Sequence, residues 1–271
     1  MRPTNPSIRP PAVAGSFYPA DPATLQHTVD TLLDTPPVPL AQPPKALIVP
    51  HAGYIYSGST AGCAYAALAP WAARIHRVIL LGPTHRVPVR GLALPEATVF
   101  GTPLGDIRID AAGIAAIASL PQVVFSNAVH AFEHALEVQL PFLQRLLGSF
   151  TLLPMAVGDA GPAAVADVLA CVWGGPETLI VVSADLSHFL PYATAQQVDR
   201  RTCQRILDFA TDLRPEETCG AFPLNGLLLA ARQRGLQPQL LAACNSGDTA
   251  GDRHRVVGYA AFALCPEAAH A

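Results

Sequence analysis

Residues 46–58 read ALIVPHAGYIYSG: four apolar residues, a proline, and then a histidine followed by alanine, glycine and tyrosine. Two later stretches repeat the pattern. RVILLGPTH (77–85) ends in His85, and TLIVVSADLSH (178–188) runs into Asp185 and His188. Each begins as a short β-branched or leucine run bounded by Pro, Gly or a polar residue, which predicts a buried strand. Such a strand has no use for an imidazole along its length, so the histidines mark the points where the strands stop.

Working outward, four strands are expected at 46–49, 77–81, 150–157 and 178–183. Helices are expected between them in STAGCAYAALAPW (59–71), in EHALEVQLPFLQRLL (133–147) and in PAAVADVLACVW (162–173). Upstream, Asp21 and Pro22 read as the N-cap and first turn of a helix whose Leu25, Val29 and Leu32 share a face. Downstream, FPLNGLLLAARQRG (222–235) reads as a helix stopped by Gly235, and QLLAACNSG and HRVVGYAAFAL as two closing strands. The stretch 91–110 breaks the alternation and reads as a hairpin excursion. Strands alternating with helices predict an α/β chain, a three-layer α/β/α sandwich with a mixed, largely parallel central sheet. The proline-rich 35–45 is not expected to divide it, because 34 preceding residues cannot bury a core of their own. One domain over 1–271 is the expectation.

Composition narrows the function. Half of the 271 residues are apolar (51%) and 14% are charged, which excludes a disordered chain. A net charge of −3 gives no electrostatic footprint for nucleic acid. No apolar run reaches membrane-spanning length and the first residues lack a signal-peptide pattern, so a soluble, cytoplasmic protein is expected. Six cysteines without CxxC spacing exclude a disulfide framework or a zinc finger. Dinucleotide and phosphate loops, the nucleophile elbow GxSxG and the zinc-protease HExxH are all missing.

In an open α/β sheet the carboxyl ends of parallel strands lie along one edge, and ligands bind there. His51, His85, Asp185 and His188 are therefore expected in one crevice. Alone, each histidine reads as a satisfied loop side chain; at three equivalent strand ends they read as the ligand set of a transition metal. Asp185 is either an N-cap or an acceptor for a metal-bound histidine or water. His188 is either a ligand or a general acid/base. Gly53 would allow close approach or a positive φ, and the Tyr54 hydroxyl would orient a ligand, unless the ring is simply half buried. HAFEHALEVQLP (130–141) places His134 and Glu137 three apart on a predicted helix, as a solvated polar face or as a lining of the cleft.

AGSFYPAD, PHAGYIYSGSTAG, LGPTH, TPLGDIRID, EHALEVQLPFL, VVSADLSHF, CGAFPLNGLL and SGDTAGDRHRVVGYAA follow one another in the order of the motifs of the Memo family, also called AmmeMemoRadiSam system protein B. The chain resembles that family over nearly its whole length. The resemblance implies a fold similar to class III extradiol dioxygenases and a metal pocket built from His51, His85 and Cys219, with Asp185 and His188 lining it. It further implies iron or copper as the metal, with zinc also open, a small-molecule ligand, and association with radical SAM and other partner-family proteins. Spacing alone leaves Cys219 and Cys244 equivalent. Dioxygenases use a carboxylate where the resemblance puts Cys219. The softer thiolate leaves two expectations open, a metal-dependent oxidoreductase and a non-catalytic metal-handling or partner-binding protein.

Overall fold

The computed structural model describes residues 7–267. Its strands are β1 (Ile8–Arg9), β2 (Ala46–Val49), β3 (Arg77–Pro83), β4 (Leu92–Leu94), β5 (Val99–Thr102), β6 (Gly105–Ile109), β7 (Val123–Phe125), β8 (Thr151–Val157), β9 (Thr178–Ser183), β10 (His188–Leu190), β11 (Leu236–Asn245) and β12 (Val256–Pro266). The helices are α1 (Pro22–Leu33), α2 (Tyr54–Leu68), α3 (Ala111–Ile117), α4 (Asn127–Ala131), α5 (Leu140–Leu147), α6 (Pro162–Val172), α7 (Tyr192–Leu207) and α8 (Ala221–Gln233).

The strands form one sheet in the order β1-β5-β6-β8-β3-β9-β2-β12-β10, with β11 on β12 and β4 and β7 branching from β8. From β6 through β8, β3 and β9 to β2 all neighbours are parallel. The four predicted strands are this parallel block, apart from the shorter β6. Their apolar runs are continuous because both faces are covered. Ala46, Ile48, Ile79, Leu81, Ile180 and Val182 face the layer that contains α6 and α8. Leu47, Val49, Val78, Leu80, Leu179 and Val181 face α1, α2 and α5. Val78 through Leu81 are fully buried, so each contributes about 1.5–3 kcal/mol of apolar transfer. The expected three layers and mixed, largely parallel sheet are present.

The expected excursion contains the β5–β6 hairpin, turned at Gly105 with φ +117. The two closing strands are β11 and β12, antiparallel to each other, and β12 runs antiparallel to β2. Gly235 follows α8 at φ +66, as a helix stop requires.

One expected helix is different. Residues 133–147 are not continuous: 133–136 are loop and turn, Glu137–Gln139 form a single 3-10 turn, and α5 begins at Leu140 with Pro141 in its first turn. Proline fits only there, because its ring would clash within an established helix. His134 and Glu137 are thus not helical neighbours, and Glu137 is buried, not solvated.

Candidate metal centre

β2, β3 and β9 end side by side, and the residues after them converge. The ring centroids of His51 and His85 are 5.2 Å apart. His134 joins them at 5.4 Å from His51 and 4.6 Å from His85, stacked on the latter. Each imidazole offers one ring nitrogen, and the three nitrogens lie within 4.8 Å of one another. This is a three-histidine group that could hold a metal ion.

Hydrogen bonds decide which nitrogen each ring presents. The Ser183 hydroxyl donates to the Ala135 carbonyl (2.6 Å) and accepts from Gln139 Nε2 (2.8 Å). Its proton is spent, so His51 Nδ1, 2.9 Å away, must donate to it. Gln139 is oriented in turn: its amide donates to the Pro50 carbonyl, and its Oε1 accepts from the Tyr65 hydroxyl. A flipped amide would set two oxygens against each other at Pro50. Tyr65, Gln139 and Ser183 therefore fix the tautomer of His51 and leave its Nε2 lone pair facing the cluster.

Glu133 does the same for His85. Its carboxylate accepts from His85 Nδ1 (2.9 Å) and from the backbone N–H groups of His85 (2.6 Å) and Ala135 (2.9 Å). His134 Nδ1 lies 3.4 Å from the same Oε1. Burial alone would raise the pKa of Glu133, but the hydrogen bonds from His85 and the two amides outweigh it and hold the carboxyl down at about 2. An ionised carboxylate only accepts, so His85 is protonated at Nδ1 and presents Nε2.

Two of the rings, His51 and His134, resist protonation. Burial first, and then the neighbouring imidazoles, lower His51 from 6.5 to about 3 and His134 to about 4. Neutral imidazoles with fixed tautomers are what a metal requires of its ligands. The donor set fits a borderline ion such as iron, copper or zinc.

Asp185 and Cys219 stand beside the cluster. The Asp185 carboxylate accepts from the His51 backbone N–H (2.7 Å), and its other oxygen lies 4.0 Å from His51 Nε2. Burial raises its pKa. No helix starts here until α7, so the carboxylate ties two strand ends together instead of capping a helix. The Asp185 carbonyl accepts from the Thr218 hydroxyl (2.6 Å) and the Cys219 N–H (3.2 Å), which brings in the turn before α8. Gly220 is required there, since a Cβ would come within 2.4 Å of the Ala184 Cβ. Cys219 Sγ ends 3.3 Å from His51 Nε2. Burial pushes this thiol well above its ordinary value. Cys244 is elsewhere, with its sulfur 3.0 Å from the Thr60 hydroxyl.

His188 opens β10, half buried, with Nδ1 2.9 Å from the Leu186 carbonyl, which leaves Nε2 available. Tyr54 is placed differently from the ligand-orienting reading. Its ring packs in the core 4.9 Å from Phe142, and its hydroxyl donates to the Val138 carbonyl (2.8 Å). Gly53 has φ −55, and a Cβ there would meet only ordinary contacts, so neither reason offered for this glycine applies. His85 and Cys219 border an open cleft of about 360 Å³, flanked by Arg86, Pro88, Pro215 and Phe222.

Two residues of the site, Ser183 and Gln139, were not visible as such in the sequence, and Glu133 stood out there beside His134 without a legible role. Ser183 carried a usable signal, a hydroxyl on the last residue of a strand that leads into the site. Glu133 and Gln139 lie in a segment that reads as a helix, where their side chains would not converge.

Compared with known proteins, residues 9–263 match the family model described as Memo-like protein. A MEMO1 family protein of Methanopyrus kandleri is 35% identical, with 94% of this chain and 98% of that protein covered. Relatives of the same description from Aquifex aeolicus and Sulfolobus acidocaldarius are 34% and 33% identical, each over 93% of this chain and 97% of their own. Among solved structures, an uncharacterized protein of Escherichia coli K12 is similar with a TM-score of 0.47 and 13% identity, over 80% of this chain and 98% of its own.

Proposed function

The chain belongs to the Memo-like family, and from that premise we propose that the histidine pocket is the metal centre of an oxidoreductase acting on a small molecule. The observation that carries the reading is the pair of fixed tautomers. Ser183 holds His51 and Glu133 holds His85 so that two imidazoles keep Nδ1 as donor and turn Nε2 to the cluster, with His134 beside them.

His51, His85 and His134 would hold the ion, which we take to be iron or copper; zinc satisfies the same donors. When bound, the metal supplies Lewis acidity and, for iron or copper, one-electron chemistry. Cys219, with Sγ 3.3 Å from His51 Nε2, would stay a thiol beside the ion and leave one coordination position open to substrate. His188 is the acid/base: its Nδ1 is held by the Leu186 carbonyl, so Nε2 can take or give a proton at the pocket. Asp185 fixes the His51 backbone and orients a bound water or substrate hydroxyl. The cleft past His85, Arg86 and Cys219 is the way in for the substrate.

A second reading is favoured by Cys219 alone. A thiolate completing three imidazoles closes a four-coordinate site, which suits metal handling and not catalysis. Metal analysis of protein purified without added metal, repeated on His51→Ala, His134→Ala and Cys219→Ser, tests both. The enzyme reading expects stoichiometric metal lost in the two histidine variants and retained in Cys219→Ser, with affinity lowered about 10–100-fold. Metal lost outright in Cys219→Ser, with His134→Ala unaffected, would make Cys219 a principal ligand. Oxygen uptake with a panel of catechols then separates enzyme from carrier. In an active protein His188→Ala should keep the metal and lower turnover about 10²–10⁴-fold.

A further inference from the structure

The opposite edge of the sheet carries a second constellation. Both tryptophans of the chain, Trp71 and Trp173, and its single lysine, Lys45, line one cleft of about 390 Å³ together with Arg74 and Arg234. The cleft lies at the amino ends of the parallel strands, where Lys45 precedes β2, Ile75 precedes β3 and Thr178 begins β9. The seven residues of β3 separate it from the histidine cluster by about 20 Å at roughly 3.3 Å per residue.

The lining is cationic and contains no carboxylate. Lys45 is consumed by the architecture: its ammonium donates to the carbonyls of Thr178 (2.8 Å), Gly175 (2.9 Å) and Gly174 (3.4 Å), which shapes the turn below Trp173. The nearby Glu177 carboxylate accepts from Gly175 N–H and the Thr178 hydroxyl. The guanidiniums are less committed. Arg234 lies 4.2 Å over the Trp173 ring and makes one long bond, from NH1 to the Ala230 carbonyl (3.3 Å). Neither Arg74 nor Arg234 forms an ion pair among the described residues. A guanidinium stacked on an indole is held flat with its N–H edge outward, pre-organised for a carboxylate or phosphate. Prolines 43, 44, 176 and 266 and Leu236 complete an apolar wall with little side-chain entropy to lose.

We propose that this cleft is a second small-molecule site, for a flat aromatic ring that carries an anionic group. The ring lies against Trp71 and the apolar wall, and the anion meets the Arg74 and Arg234 guanidiniums. The site is independent of the metal centre and of the reading given to it.

Because both tryptophans line the cleft, intrinsic tryptophan fluorescence of the full chain reports on it alone. Titration with AMP and with benzoate distinguishes a phosphate from a carboxylate as the preferred anion. Adenosine and inorganic phosphate separate the contributions of ring and charge. Saturable quenching is expected with AMP or benzoate, with adenosine and phosphate each at least about tenfold weaker. Arg234→Gln and Arg74→Gln, both at exposed positions, should each weaken binding about tenfold or more and leave metal content unchanged. Failure of both AMP and benzoate to saturate, equal binding of adenosine and AMP, or unchanged affinity in both arginine variants would overturn the proposal.

Discussion

Two kinds of chain deliver the residues of the histidine cluster, and they are held in different ways. His51, His85 and Asp185 follow β2, β3 and β9, whose positions are set by parallel backbone ladders and by apolar side chains buried on both faces. His134 comes from 127–139, a segment of one short helix, a loop and a 3-10 turn that has no sheet ladder of its own. Buried polar side chains hold it in place. Glu137 is fully buried and pairs with the Arg9 guanidinium, while accepting from Tyr18 hydroxyl (2.6 Å) and the Ala12 and Val13 N–H groups. Arg9 also donates to the carbonyls of His130 (3.0 Å) and Glu133 (2.7 Å). His130 Nε2 meets the Ala93 carbonyl (2.9 Å). A strand end is positioned by many equivalent bonds, and losing one side chain there leaves it standing. The 127–139 segment depends on a few buried charges, so removing one is costly.

The contrast predicts its largest effect at Glu137. Glu137→Gln strands the buried Arg9 guanidinium and should destabilise the protein by about 3–5 kcal/mol, read from the denaturant midpoint. A loss within about 0.5 kcal/mol, the range of an ordinary surface change, would show that the segment does not rest on this pair.

Metal affinity sharpens the comparison next. Glu133→Gln keeps the shape but replaces an anion that serves His85 and two amides, so affinity should fall about 10–100-fold while the fold persists. Equal affinity in a competition titration with a chelator would remove Glu133 from the orienting role.

Ser183 belongs to the strand-end class, and its removal should therefore be milder. In Ser183→Ala, His51 Nδ1 and Gln139 each lose a partner, at a cost of about 1–3 kcal/mol in stability. Metal binding should weaken about tenfold, because the His51 tautomer is no longer fixed. Circular dichroism and the same chelator titration check the pair of effects.

The most graded effect is that of pH on the metal-free protein, because three rings contribute to it together. Burial lowers His51 to about 3 and His130 and His134 to about 4, against an ordinary 6.5. Below pH 6.5 the unfolded chain therefore binds protons that the folded rings refuse. Stability is full above that value and declines continuously as pH falls toward 4. Urea midpoints should drop between about pH 7 and about pH 4.5, and less steeply for His130→Gln. A flat profile would mean that these rings are protonated in the folded state.

The sequence determined the strands of the parallel block closely. β2 and β9 coincide with their expected residues, and β3 extends past the expected end only through Gly82 and Pro83. A strand covered on both faces is written as an unbroken apolar run, and parallel neighbours put all their ends on one edge. His51 and His85 as neighbours follow from that logic alone. Family resemblance directed attention to Cys219, which spacing could not distinguish from Cys244. Only the tertiary structure decided that His134 joins the cluster, that Glu133 and the Gln139–Ser183 pair set the imidazole tautomers, and that Tyr54 spends its hydroxyl on Val138. Those residues act through bonds across 44 to 89 positions of sequence, from a segment whose leucine spacing imitates a helix. Local periodicity reports which face of an element is buried, but not the partner that a buried polar atom finds. That partner exists only once Arg9, Tyr18 and the strand ends have closed around the segment.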